Sequence, residues 1–128
     1  MLAVSVAQAQ PPSSALQAKS PDAALIVRMA ARGPVRILVH YRLPPSSGGA
    51  TGDETIRTNR TVQDAILVDH FGPPETLAGP ERALRRMVAT PVFAINASAA
   101  EIEGLAQDGR VLQIVLDQAR RPAPAKAR

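Results

Sequence analysis

The chain has no cysteine and no tryptophan. Without cysteine there can be no disulfide staples and no thiolate metal sites. Aromatics are limited to Tyr41, Phe71 and Phe93. The core must therefore be built from valine, isoleucine, leucine and alanine, and modest stability is expected. The two histidines, His40 and His70, lie far apart without metal-ligand spacing. Structural or surface roles are expected for both, with no metal and no cofactor. The net charge is +4 and almost all of the positive charge is arginine. Those arginines are scattered, and no aromatic pair is placed for bases to stack on, which argues against nucleic acid as a partner. No apolar run is long enough to span a bilayer, so no membrane partner is expected.

What is present fits one domain. The 128 residues are 45% hydrophobic, enough to bury a real core. Leu2-Ala3-Val4-Ser5-Val6-Ala7 is a short apolar run, and Ala7-Gln8-Ala9 is a small-x-small cleavage pattern. Together they predict export to the periplasm or medium, with mature protein beginning near Gln10. Residues 1–20 read as signal-peptide remnant and flexible lead-in, 21–119 as the domain, and 120–128 as an extended basic tail.

Within the domain, Ser20-Pro21-Asp22 predicts a short helix running to Arg32 and stopped by Gly33-Pro34. Val35 to Leu43 predicts a strand, with Val35, Ile37, Val39, Tyr41 and Leu43 on one face and Arg36, Leu38, His40 and Arg42 on the other. A helix follows from Glu54 or Arg57 to His70, its stripe formed by Val62, Ala65, Ile66 and Asp69 and widened by Leu67 and Phe71. Arg82–Ala89 reads as helix or strand. Val92–Asn96 predicts a strand. Ser98-Ala99-Ala100-Glu101 is a capping box opening a helix that runs to Asp108. Arg110–Asp117 predicts the last strand. The order predicts an α+β, ferredoxin-like fold: a four-stranded antiparallel sheet with two main helices on one face, plus the short N-terminal helix. The other face keeps Leu38 and apolar residues of the last strand, which predicts something docked there.

Val35–Val39, Arg85–Ala94, Ser98–Ala106 and Gly109–Asp117 together resemble the subtilisin propeptide family, also called the subtilase-type proteinase inhibitors. The resemblance covers residues 22–121. Its strongest part is the C-terminal unit, with Ser98, Leu105, Ala106, Val111, Ile114 and Asp117 in the family's places. Met87 stands where the family often has an aromatic, and Leu116 where an acidic residue is common. Such propeptides usually precede a catalytic domain, but these residues hold no Asp, His and Ser triad segments. The resemblance therefore implies an inhibitor, not an enzyme, with a subtilisin-like serine protease as partner and a monomer when free. In the family the open sheet face docks on the protease and the C-terminal segment enters the cleft like a cleaved product. That implies protease-binding roles for Asp117, Gln118, Ala119, Arg120, Arg121, Pro122 and Ala123. Arg121 and Ala123 each precede a proline, which resists cleavage; either could fill the primary specificity pocket. Asp117 could orient the tail, cap a helix of the partner, or be a plain surface aspartate. A prodomain that chaperones a protease and a generic ferredoxin-like binding module remain alternatives. An acylphosphatase-type activity is disfavoured, because the glycine-rich Ser46–Gly52 loop lacks an arginine. Asn59-Arg60-Thr61 and Asn96-Ala97-Ser98 match glycosylation sequons, but no glycan is assigned.

Overall fold

The structure, a computed structural model, describes residues 11–45 and 52–117. The cleavage pattern at Ala7–Ala9, most of the glycine-rich loop and the tail from Gln118 lie outside those residues.

The lead-in expected to lack structure carries a first helix, α1 (Ser14–Lys19). Ser13 caps it by accepting from the Leu16 amide at 3.0 Å, and Leu16 is buried to 2% exposure. The sequence Pro-Pro-Ser-Ser masked one apolar anchor, and a single buried leucine with a good cap suffices for six residues. Ser13 also donates to Glu103 and Lys19 donates to the Asp108 carbonyl, both at 2.7 Å. Helix α2 (Ala23–Ala30) starts later than Ser20-Pro21 predicts. Ser20 instead ends α1, its hydroxyl accepting from the Asp22 amide.

Gly33, at φ +147°, turns the chain into β1 (Val35–Tyr41). Its alternation falls as expected: Val35, Ile37, Val39 and Tyr41 are buried, while Arg36, Leu38 and His40 are half-buried on the opposite face. The long helix α3 (Gly52–His70) follows. Its inward stripe is Asn59, Gln63, Ile66 and Leu67, whereas Ala65 and Asp69 are exposed. The expected stripe is thus rotated toward two amides. Pro74–Thr76 forms a 3₁₀ turn. The ambiguous 82–89 stretch is almost all loop, with only the two-residue strand β2 (Arg85–Arg86). Then come β3 (Val92–Ala97), α4 (Ala99–Ala106) and β4 (Val111–Leu116). The capping box of α4 forms in full, with Ser98 accepting from the Glu101 amide and Glu101 accepting from the Ser98 amide.

The fold is α+β: a four-stranded antiparallel sheet of order β2-β3-β1-β4, with four α-helices among the described residues. The sheet's inner face, led by Ile37, Val39, Phe93, Ile95 and Ile114, packs against Ile66, Leu67, Ile102 and Leu105 of α3 and α4 in one core. Tyr41 and Phe93 are its largest members, their rings 6.0 Å apart. Two of the three aromatics therefore sit at the centre of the aliphatic core. In β4 strict alternation fails: Val111 and Ile114 are buried while Leu112 and Gln113 are exposed. A bulge opposite His40 and Tyr41 is the cause, pairing Gln113 with His40 but Val111 with Tyr41.

Candidate functional site: the open sheet face

The register puts one row across all four strands on the outer face: Arg85, Ala94, Leu38 and Val115. Period-two alternation places Val92, His40 and Gln113 in the next row on one side, and Asn96 and Arg36 on the other. Ala94 is small and its neighbours are large. A shallow hollow of about 320 Å³ lies there, lined by Leu38, Arg85, Met87, Val92, Ala94 and Asp117 among others. The hollow is apolar at its floor, with Arg85 and Asp117 as the charged groups of its rim.

One end of this face is tied by Arg36. Its guanidinium donates to Asp117 at 3.1 Å, to the Ala83 carbonyl at 2.9 Å and to Asn96 Oδ1 at 3.2 Å. The Asp117 amide in turn donates to the Arg36 carbonyl at 3.1 Å. Asp117 is therefore no plain surface aspartate: its side chain is only 5% exposed. It ties the end of β4 to β1 through both side chain and backbone. Gln118, Ala119, Arg120, Arg121, Pro122 and Ala123, the other expected protease-binding residues, lie outside the described residues.

Behind the sheet, α3 clamps the β2–β3 loop with two amides that sequence reading did not single out for this role. Asn59, 1% exposed, donates from Nδ2 to the carbonyls of Met87, Val88 and Thr90 at 3.1, 2.8 and 3.1 Å. Its Oδ1 accepts from the Tyr41 hydroxyl. Gln63 donates to the same hydroxyl at 2.7 Å and accepts from Arg86 Nε. Burial pushes the Tyr41 phenol above its usual range, against the lowering effect of the Gln63 hydrogen bond. The i, i+4 spacing of Asn59 and Gln63 was the available signal. The sequon at Asn59 is thereby explained away, since the amide is buried and committed. Asn96 is committed too, donating to the Glu81 carbonyl.

The second polar cluster joins α3 to the α4–β4 turn. His70 Nε2 lies 2.8 Å from Asp108, whose carboxylate also accepts from Arg110. Arg110, and secondarily His70, hold that carboxylate well below the usual range. A Cβ placed on Gly104 would lie 3.3 Å from His70 Nδ1. The ring's other nitrogen thus faces α4 at Gly104, where any larger residue would crowd it. This cluster is a structural tie. Among the described residues, no group of three or more His, Cys, Asp or Glu side chains could hold a metal, and no helix is long and apolar enough to cross a membrane.

No protein-family model, no curated protein and no solved structure matches the chain.

Proposed function

We propose that this domain is a binding module that inhibits a subtilisin-like serine protease. Its open sheet face docks on the enzyme, and the segment from Gln118 to Ala123 enters the active-site cleft as a product does. One observation carries the reading: among the described residues no helix covers the sheet's outer face, which holds an apolar hollow, and Arg36 and Asp117 tie the end of the last strand at the edge of that hollow. A chain leaving from a fixed point on a docking face pays less ordering entropy when it enters a neighbouring groove. The ferredoxin-like reading of the fold belongs to the same proposal. It is supported by the order β4-β1-β3-β2 with antiparallel neighbours, and by α3 and α4 as the crossovers. A standard interface of this kind covers about 800 Å² per partner. The chemistry is that of binding; the protein acts without catalysis, and export would bring it to secreted proteases.

The test is inhibition of purified subtilisin-like proteases by the full chain, by a chain ending at Asp117, and by Leu38→Asp. The full chain is expected to inhibit competitively. The truncated chain should keep the circular-dichroism spectrum and melt but lose competition with substrate. Leu38→Asp puts a carboxylate in the hollow and should weaken inhibition with the fold retained. Equal inhibition constants for all three would overturn the proposal, as would no inhibition across a protease panel.

A further inference from the structure

The clamp on the β2–β3 loop spends two buried amides on a stretch whose tip is solvent-exposed. Val88 is 65% exposed, beside Ile56 of α3 at 37%. These two, with Met87, form the apolar wall of a small cleft of about 170 Å³. Its polar wall is Arg60, Arg86 and Gln63. Arg86 is held in place from α3, donating Nε to Gln63 and Nη2 to Asp64. Those two bonds leave N–H donors on Arg86 without an acceptor, since a guanidinium carries five. Arg60 is exposed and makes no hydrogen bond or ion pair among the described residues. The charged groups here are two guanidinium cations and the Asp64 carboxylate, a net excess of one positive charge. The cleft therefore pairs a tethered cation and an exposed one with an aliphatic wall.

We infer that this cleft binds a carboxylate carried on a short aliphatic segment of a partner protein. The carboxylate would lie between Arg60 and the outward N–H groups of Arg86, and the aliphatic side chain against Ile56, Met87 and Val88. Complementarity picks this ligand. A guanidinium pair favours a planar, bidentate anion, and the wall beside it rewards a neighbouring apolar group. Because Asn59 and Gln63 already hold the loop, binding would not have to order it. The site stands apart from the sheet-face reading, which uses the opposite side of the sheet; only Met87 borders both.

The carboxylate could be a chain terminus or an acidic side chain, and the test separates them. The full chain is titrated, with backbone amide chemical shifts as readout, with three peptides: acetyl-Ala-Ala-Leu with a free carboxylate, the same peptide amidated, and amidated acetyl-Leu-Glu-Ala. At least one carboxylate peptide should shift the amides of Ile56, Arg60, Met87 and Val88, and the tighter one names the source. The neutral peptide should not. Arg60→Ala should weaken that binding by about three- to fivefold, the scale of one exposed ion pair. Asp64→Asn should strengthen it by a similar factor, since Gln63 still holds Arg86. An unchanged melt for Arg60→Ala shows that the fold is intact. Equal shifts from the neutral peptide, no shifts into the tens of millimolar, or insensitivity to both substitutions would overturn the inference.

Discussion

Replacing Asn59 with alanine should be one of the most damaging polar substitutions in the domain. The side chain is 1% exposed and serves four partners: the carbonyls of Met87, Val88 and Thr90, and the Tyr41 hydroxyl. Val88 and Thr90 are themselves exposed, so water can reach part of the freed loop and those carbonyls need not stay bare. Tyr41 is fully buried. It keeps the hydrogen bond from Gln63 but loses its own acceptor. A buried donor left unpaired costs about 1–3 kcal/mol. Adding the weakened loop, Asn59→Ala should destabilise by roughly 2–4 kcal/mol, a large part of an ordinary domain's stability. In a domain of this size that lowers the melting temperature by about 10–20 °C. Asn59→Asp is the sharper control. It keeps shape and volume but turns an oxygen toward three carbonyls at 2.8–3.1 Å, so at neutral pH it should be at least as damaging as alanine. Urea unfolding followed by circular dichroism gives both values, and amide exchange at residues 87–90 reports the loop. An Asn59→Ala variant within about 0.5 kcal/mol of the parent, the scale of an ordinary surface change, would refute the claim that this amide holds the loop.

Acid should unfold the domain partly through Asp108 and Glu101. Both carboxylates are held below their usual range, Asp108 chiefly by Arg110 and Glu101 chiefly by Arg82. A folded-state pKa below the unfolded one gives stability that is full above the unfolded value of about 4 and is lost as pH falls toward the folded one. Melting temperatures between pH 7 and pH 2 should therefore fall most below about pH 4, and Asp108→Asn should flatten that slope while lowering the neutral-pH melt. Ala83 sits at φ +47°, where a Cβ is strained, so Ala83→Gly should stabilise by about 0.5–1 kcal/mol; a lower urea midpoint would count against that. Ser98→Ala removes the hydroxyl that accepts from the Glu101 amide and should cost about 1 kcal/mol, read in the same urea experiment.

The elements most legible in the sequence were those with one physical signal and no competitor. β1 alternates without interruption, and both its faces were readable. The α4 start was written in Ser98 and Glu101, whose reciprocal bonds are local and independent of tertiary context. α3 was readable as a helix but not in its rotation. Hydrophobicity pointed to Val62, Ala65 and Ile66, whereas the buried hydroxyl of Tyr41 and the loop carbonyls drew Asn59 and Gln63 inward. That demand comes from other elements, and its one trace in the helix's own pattern is the i, i+4 spacing of the two amides. α1 was hidden because its stability comes from Leu16 against α2 and α4, not from propensity. At the candidate site, the apolar Leu38 between basic neighbours was visible from β1 alone. The Arg36–Asp117 tie joins residues from opposite ends of the domain and became visible only once β1 and β4 were paired.

β4 is an edge strand, and all six of its residues are uncharged. A bare strand of that composition is the usual starting point for sheets that grow from one molecule to the next. Two features blunt it. The Asp117 amide bonds to β1, so the Leu116 amide points outward, and there it is taken by the Asp22 carboxylate at 3.1 Å. At the other end, the bulge at Leu112 breaks the even spacing a foreign strand would need for a continuous ladder. The irregular start of β4 and the side chain of Asp22 thus guard the molecule's solubility at the edge where its sequence gives it least protection.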